Sequence, residues 1–314
     1  MTATRAAIVA TARESIARGS QSFAAASRLF DRKTRERAWL LYAWCRRCDD
    51  LADGQDHGHG AAAVVDPDAR IARIRRMTDA ALAGARVDDP AFDALRIVAA
   101  ETRMPHALVR DVVAGFALDA EDWRPRSEAD LMRYCYHVAG AVGCLMAIVM
   151  GVDPRDDAVL DRACDLGIAF QLNNIARDLD ADDRIGRCYL PVEWLVEMDI
   201  PPGQQLKPPF RPRLTALARR LVEWADAYEE SARVGTRALS FRCAWAVLAA
   251  AGIYGGIGRE VVRRGDHAWD HRVSTPAWQK LTAVARAWVD ALRRGNGPVG
   301  AERAADLWTR PRHG

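Results

Sequence analysis

Apolar residues recur along the chain at the three- to four-residue spacing of amphipathic α-helices. Alanine, leucine and arginine dominate, and no stretch alternates Val, Ile, Thr and aromatic residues with polar ones as a half-buried strand does. The pattern predicts an all-α protein. The predicted helices cover residues 5–18, 35–51, 68–83, 90–102, 105–120, 128–150, 156–181, 213–233, 240–264 and 275–294.

The breaks between these helices contain proline, glycine and charged residues. They fall at residues 54–67, at Asp153-Pro154 and in the proline-rich segment 200–212. None of them has the length or composition of a flexible linker between domains. The sequence therefore predicts one domain over residues 1–314, with a frayed tail from residue 295 onward.

Composition narrows the class of protein. The chain has 314 residues, 50% apolar and 28% charged, which is typical of a soluble globular protein. Its net charge of +3 does not indicate a nucleic-acid partner. Seven cysteines, an odd number without metal-site spacing, and the lack of a signal-peptide pattern predict a cytoplasmic protein.

One segment approaches the length of a membrane span. Residues 134–152 carry no formal charge over 19 positions. His137 and many glycine and alanine residues favour a buried central helix instead, because small residues let neighbouring helices approach closely. We therefore predict that this segment is buried in a bundle.

Two groups of acidic and amide residues repeat every four positions on predicted helices. The first is Asp49 and Asp53, and the second is Asn174, Asp178 and Asp182. Residues four apart share a helix face, so each group directs its oxygen atoms to one patch. Oxygen ligands without His or Cys favour Mg²⁺ or Mn²⁺, and Mg²⁺ commonly bridges one or two carboxylates to phosphate oxygens. The spacing therefore predicts a metal site for a phosphorylated substrate.

A solvated acidic helix face is the alternative for any one such group. The neighbouring residues favour the metal site. Arg46 precedes the first group, Gln171 and Arg177 accompany the second, and Arg184 and Arg187 follow it. Guanidinium groups beside metal-binding carboxylates suit the two sides of a metal–diphosphate complex. Of the 45 basic residues 42 are arginine, which by itself reflects coding bias.

Several motifs in order along nearly the whole chain resemble the phytoene/squalene synthase family of head-to-head isoprenyl diphosphate synthases. The motifs are YAWCRRCDDLAD (42–53), YCYHVAGAVG (134–143), QLNNIARDLDAD (171–182), GRCYLPVEW (186–194) and AGIYGGIGRE (251–260). The resemblance implies a single isoprenoid-synthase-type helical bundle around a central apolar cavity. It also implies that the two aspartate-rich helices face each other at the cavity mouth.

The resemblance assigns roles to individual residues. The implied metal ligands are Asp49, Asp53, Asn174, Asp178 and Asp182. The implied diphosphate-binding residues are Ser20, Ser22, Arg46, Gln171, Asn174, Arg177, Arg187 and Arg272. Tyr134 and Tyr254 match tyrosines near the reacting carbons or the leaving group and join Asp49, Asp53, Asp178 and Asp182 as implied catalytic residues.

Within the family the motifs are most similar to those of the enzymes that make phytoene. The resemblance implies condensation of two geranylgeranyl diphosphates through a cyclopropylcarbinyl diphosphate, with Mg²⁺ or Mn²⁺ bridging the diphosphate. The resemblance also predicts that ATP stimulates the reaction. The chain has no dinucleotide-binding fingerprint, so we expect no use of NADPH. The proton acceptor stays open between the released diphosphate and a tyrosine hydroxyl.

Two alternatives remain at this stage. The first is a dehydrosqualene- or hydroxysqualene-type synthase that uses farnesyl diphosphate, which differs in cavity depth. The second is a non-catalytic relative that serves as a membrane-associated assembly protein, against which the retained aspartates argue. The resemblance also predicts peripheral contact with the inner face of the cytoplasmic membrane for product release, and a downstream phytoene desaturase as a partner.

Overall fold

The computed structural model describes residues 4–53, 66–120, 123–295, 299 and 302–313, without the side chains of Gln21, Ser22 and Asp53. These residues form helices and connecting segments, and no strand occurs among them. The α-helices are α1 (Arg5–Gly19), α2 (Gln21–Ser27), α3 (Arg32–Asp53), α4 (Pro67–Leu82), α5 (Pro90–Thr102), α6 (His106–Ala120), α7 (Glu128–Cys135), α8 (Ala141–Val149), α9 (Asp157–Arg184), α10 (Val192–Glu197), α11 (Arg211–Gly235), α12 (Phe241–Arg264) and α13 (Ala277–Arg293). The all-α prediction is confirmed.

The ends of the helices follow local signals. Asp66 and Asp89 cap α4 and α5 by accepting hydrogen bonds from Ala69 N–H and Ala91 N–H, and a proline occupies the first turn of each helix. The short helices α2 and α10 are too brief for their periodicity to identify them from sequence. The predicted helix 128–150 is interrupted, because a π-helical turn over Tyr136–Gly140 separates α7 from α8.

Helix α9 is the centre of the bundle and packs against α8, α11 and α12. Glycines permit its closest approach to the π-helical turn. A Cβ atom on Gly167 would collide with the Ala139 carbonyl oxygen and lie 2.7 Å from Gly140 Cα. Because both obstacles are backbone atoms, they cannot move aside by changing rotamer. This contact fixes the position of the helix that carries Asn174, Asp178 and Asp182.

We expect Gly167→Ala to lower the free energy of unfolding by about 1–3 kcal/mol, because overpacking forces the backbone of α9 away from the π-helical turn. Gly256→Ala in α12 is the matched control, since a Cβ atom there meets nothing within 4 Å. Replacing that helical glycine gains up to about 1 kcal/mol of stability. Urea denaturation followed by circular dichroism measures both changes, and equal stability of the two variants would contradict the packing argument.

Two apolar stretches are long enough to cross a membrane by length and composition, Glu128–Val149 and Phe241–His267. Within the bundle, 61% of an apolar 18-residue window in the first stretch and 50% of such a window in the second are buried. The prediction that the uncharged segment is a central helix agrees with its packing, since Cys144 and Leu145 are fully buried.

The C-terminal segment differs from the frayed tail that the sequence predicts. Residues 302–313 are not helical, but they lie against the bundle through ion pairs. Arg303 Nη2 lies 2.6 Å from Asp165 Oδ1, and Asp165 is fully buried in α9. Arg312 pairs with Asp161, one turn earlier in α9, at 2.5 Å. The pairing partners are about 140–150 positions earlier in the chain, so local periodicity does not reveal them.

Candidate functional site

Asp178 is the centre of a guanidinium cluster at the end of α9. Arg272, from the segment after α12, donates from Nε to Asp178 Oδ1 at 2.9 Å and from Nη2 to Oδ2 at 3.2 Å. Arg177 donates from Nε to Asp178 Oδ1 at 2.8 Å. Burial alone would raise the pKa of the Asp178 carboxyl, but the hydrogen bonds from Arg177 and Arg272 outweigh it and lower that pKa. The structure thus brings three of the predicted residues together.

A buried tryptophan holds Arg272 in reach of α9. Trp269 is 4% exposed, and its indole N–H donates to the Ala176 carbonyl at 2.9 Å. Since Trp269 is three residues before Arg272, this hydrogen bond fixes the segment that carries the arginine against the helix that carries Asp178. The distance of 94 residues between the partners explains why sequence spacing could not predict the ion pair.

Asp182 is one turn further along the same helix face. Burial, followed by the negative charge of Asp178, raises the pKa of Asp182 to about 7, against the opposing charges of Arg187 and Arg177. Asp119 of α6 adds to the negative potential. Asp182 is therefore a carboxylate whose charge the protein compensates incompletely, and a bound cation would complete that compensation.

Tyr134 belongs to an aromatic stack beside Asp182. Its ring lies 5.5 Å from that of Trp123 and 4.8 Å from that of Tyr189, with both pairs nearly parallel. The hydroxyls of Tyr134 and Tyr189 both donate to Asp119 Oδ1 at 2.9 Å. Burial, together with the Asp119 charge, raises the pKa of the Tyr134 hydroxyl well above its usual value, so this hydroxyl stays protonated at neutral pH.

Asp119, Trp123 and Tyr189 were not predicted as site residues. They line a small cleft with Arg124, Gly186 and Arg187. Tyr189 could have been identified from the sequence, because it belongs to the motif GRCYLPVEW (186–194) that contains Arg187. Its spacing from other residues did not indicate a role. Asp119 is an acidic residue near the end of the largely apolar helix α6, and its two tyrosine partners are 15 and 70 positions away.

The predicted residues of the N-terminal half form a second group, on α3 and at the start of α2. Arg46 Nη1 donates to Asp49 Oδ2 at 2.7 Å, and Arg46 Nε lies 3.6 Å from Asp50 Oδ1. Ser20 Oγ caps α2 by accepting a hydrogen bond from Phe23 N–H. A Cβ atom on the preceding residue, Gly19, would lie 3.6 Å from Arg46 Nε, so the chain passes close to this arginine just before Ser20. The side chains of Ser22 and Asp53 lie outside the described residues.

The remaining predicted residues are Gln171 and Asn174 on α9 and Tyr254 on α12. Asn174 Nδ2 lies 3.5 Å from Gln171 Oε1, which is the limit of a hydrogen bond. Tyr254 of α12 stacks on Phe170 of α9 at 4.3 Å between ring centres. Tyr254 therefore packs next to Gln171, one residue along α9, and not in the Trp123 stack that contains Tyr134.

The carboxylates fit magnesium better than a zinc-type site. Among the described residues, no three His, Cys, Asp or Glu side chains are placed to hold a metal ion together. The oxygen donors come instead in small sets, Asp49 with Asp50 on α3 and Asp178 with Asp182 on α9. Mg²⁺ commonly takes one or two carboxylates and completes its shell with water and phosphate oxygens. The donor chemistry and the raised pKa of Asp182 are both consistent with such a cation.

Comparisons with known proteins agree on one family. The squalene/phytoene synthase family model matches residues 16–279. The 15-cis-phytoene synthase of Pantoea ananas is 45% identical over 303 residues, covering 95% of this chain and 96% of the relative. The 15-cis-phytoene synthase of Paracoccus sp. is 46% identical over 307 residues, covering 98% and 99%.

A solved structure matches the whole bundle. The crystal structure of a dehydrosqualene synthase in complex with a ligand is similar with a TM-score of 0.80 at 26% sequence identity. The match covers 90% of this chain and 96% of that chain. The helical architecture implied by the motifs is thereby confirmed.

Proposed function

Because the chain belongs to the squalene/phytoene synthase family, we propose that it condenses two molecules of geranylgeranyl diphosphate head to head and forms phytoene with release of diphosphate. It is a prenyltransferase, and its substrate class is a prenyl diphosphate. The observation that supports the product most directly is identity of 45–46% to two 15-cis-phytoene synthases over at least 95% of each length.

The two alternatives have weaker support. A farnesyl-diphosphate-using synthase is represented by the dehydrosqualene synthase structure, which is 26% identical. The identity to phytoene synthases is considerably higher. A non-catalytic relative would have no need of the Arg177–Asp178–Arg272 cluster, which this chain retains with close hydrogen bonds.

At the diphosphate end, we assign binding to the arginines and to the carboxylates. Mg²⁺ or Mn²⁺ held by Asp49, Asp53, Asn174, Asp178 and Asp182 would neutralise the departing diphosphate. Arg46 and Arg272 would accept its remaining oxygens through charge-assisted hydrogen bonds. Asp178 orients Arg272 in the free protein, since both guanidinium donors point to its carboxylate.

At the carbon end, we assign stabilisation of positive charge to the aromatic stack. The ring faces of Trp123, Tyr134 and Tyr189 carry negative electrostatic potential that attracts an allylic cation. Asp119 accepts hydrogen bonds from both tyrosine hydroxyls, and its negative charge would add to the stabilisation of a cation near the stack. Tyr134 itself holds its proton tightly. This favours the released diphosphate over the Tyr134 hydroxyl as the proton acceptor.

The product assay tests this proposal. Purified protein with Mg²⁺ or Mn²⁺ and geranylgeranyl diphosphate in detergent is expected to make phytoene without NADPH, as measured by chromatography of the extracted hydrocarbons. The same assay with farnesyl diphosphate distinguishes the alternative. If only farnesyl diphosphate gives a product, the phytoene assignment is overturned. If neither substrate gives a hydrocarbon, the proposal that the protein is an enzyme is overturned.

A substitution in the stack gives a second test. We expect Asp119→Asn to lower kcat about 10²-fold, because an amide loses the charge that orients both tyrosine hydroxyls and balances the cation. Asp111→Asn is the matched control. Asp111 is on the same helix and accepts a hydrogen bond from the hydroxyl of Tyr136, a tyrosine that does not belong to the stack. Equal kcat for the two variants would show that the stack has no role in turnover.

Localisation, partner and stimulation by ATP are also proposals. We propose a cytoplasmic enzyme on the inner face of the membrane, which hands its hydrocarbon to a phytoene desaturase or to the bilayer. ATP stimulation is a further proposal. Adding ATP, and separately removing the divalent cation with a chelator, to the assay described above tests both cofactor assignments.

A further inference from the structure

Helix α13 is an outer helix that packs on α12. Its inward face is small and apolar, with Ala287 and Ala291 buried against Leu248 and Ala249 of α12. Trp245 of α12 donates its indole N–H to the Val284 carbonyl at 2.9 Å, which fixes α13 along the outside of the bundle. The remaining sides of the helix are turned away from the core, including the flank next to this buried face.

That outer face carries a stripe of large apolar side chains. Its members, between 45% and 70% exposed, are Trp278, Leu281, Trp288 and Leu292. At 3.6 residues per turn they fall within an arc of about 80° and extend for about 21 Å along the helix axis. Single exposed apolar residues are common on protein surfaces, but a contiguous stripe of this kind marks an interaction site.

The charges around the stripe are mainly positive. Helix α13 contains Lys280, Arg286 and Arg293 but only one acidic residue, Asp290. The Asp290 carboxylate lies 3.6 Å from Arg233 Nη1 of α11, which offsets its charge. Arg286 and Arg293 are exposed and border the Trp278 edge of the stripe. An occupant with negative charge at the border of an apolar surface would be complementary to this face.

We infer that the outer face of α13 docks on the surface of a lipid bilayer that contains anionic phospholipids. Tryptophans and leucines would enter the interfacial region, and Arg286 and Arg293 would lie among the phosphates, as in other amphipathic interfacial helices. A second copy of this chain suits the face less well. It would present the same cations, and four large side chains fall short of the roughly 20–30 residues per side of a stable dimer.

This inference rests on the proposed function in one respect, because a C40 hydrocarbon leaves the protein only into an apolar phase. Helix α13 lies on the helix that carries Tyr254, whose ring stacks on Phe170 of α9. Docking through α13 would therefore place the bilayer two helix layers from the predicted site. The N-terminal helix α1 offers no comparable face, since Ile8, Ala12 and Ile16 are buried in the bundle.

Vesicle sedimentation of the full chain without substrate tests the inference. We expect the wild-type chain to bind vesicles of phosphatidylcholine with phosphatidylglycerol more tightly than vesicles of phosphatidylcholine alone. Binding to the anionic vesicles should weaken as NaCl rises from about 0.05 M to about 0.5 M. The double variant W278S/W288S should bind at least about tenfold more weakly. R286Q/R293Q should bind about 30-fold more weakly to anionic vesicles only.

Arg13→Gln on the exposed side of α1 is the matched charge control and should bind as the wild type does. Activity in detergent separates this inference from the proposed function, since W278S/W288S should keep detergent activity within about twofold while losing vesicle binding. Wild-type protein that stays in the supernatant, or variants that bind unchanged, would overturn the docking surface even if phytoene is made. A wild-type dimer that W278S/W288S converts to monomer, without vesicle binding, would assign the face to a second copy.

Discussion

Asp178→Asn is expected to lower phytoene formation by at least about 10³-fold with the fold intact. The amide keeps the size of the side chain but removes the charge that holds Arg272 through two hydrogen bonds and that would bind the metal. Asp178 is half-buried at the surface of α9 and does not belong to the apolar core, so we expect little change in the melting temperature. Product chromatography and thermal denaturation measure the two effects.

Asp180→Asn is the matched control for this change. Asp180 is on the same helix, two residues away, and pairs at 2.8 Å with Arg184, whose side chain is 74% exposed. Such an exposed pair contributes about 1 kcal/mol or less. Arg184 is not among the diphosphate-binding residues that the family resemblance implies. Full activity of Asp178→Asn, or an equal loss in Asp180→Asn, would contradict the assignment of the metal and diphosphate site.

Arg303→Ala is expected to lower the free energy of unfolding by about 3–5 kcal/mol. The substitution removes both guanidinium donors from Asp165, at 2.6 and 2.9 Å, and leaves a fully buried carboxylate with Ser231 as its hydroxyl donor. Burial already raises the pKa of Asp165 despite the Arg303 and Ser231 hydrogen bonds. Without the guanidinium the buried charge is poorly compensated, and residues 302–313 lose an anchor to α9. Urea denaturation measures the loss.

Arg312→Ala is the control that distinguishes the contribution of the buried Arg303–Asp165 pair from that of the other contacts of the C-terminal segment. The Arg312 side chain is 45% exposed, and its ion pair with Asp161 is open to solvent on that side. We expect it to contribute about 1 kcal/mol or less. Similar destabilisation by both substitutions would mean that burial of Asp165 does not determine the effect, and no loss in Arg303→Ala would mean that the segment is dispensable for stability.

How well the sequence predicted each feature of the structure depends on how far apart in the chain the contacting residues lie. Positions of the long helices follow from periodicity within 13 to 28 residues, and the prediction of an all-α family member was confirmed. The π-helical turn at Tyr136–Gly140 was not predicted, and it lies where Ala139 and Gly140 approach Gly167 of α9, a residue far along the chain. The roles of the predicted metal ligands stay predictions.

The residues of the candidate site also differ in how far the sequence could predict them. The four-residue repeat placed Asn174, Asp178 and Asp182 on one helix face, because helix geometry by itself brings such residues together. Arg272 was assigned through the family resemblance, but its position beside Asp178 is supported by the Trp269 anchor, 93 residues from its partner Ala176. Asp119 was missed entirely, since only the packing of α6 against the following elements gives it two tyrosine donors.

The sequence by itself therefore determined the fold class and the helix faces that carry the acidic groups, because these depend on spacing between residues a few positions apart. It determined the family through the resemblance of its ordered motifs. The tertiary structure alone decided the pairing of Arg272 with Asp178, the aromatic stack around Tyr134 and the anchoring of the C-terminal segment by Asp165. Each of these joins residues that are far apart in the chain. Their distance is set by how the helices pack, and no local pattern of polar and apolar positions encodes it.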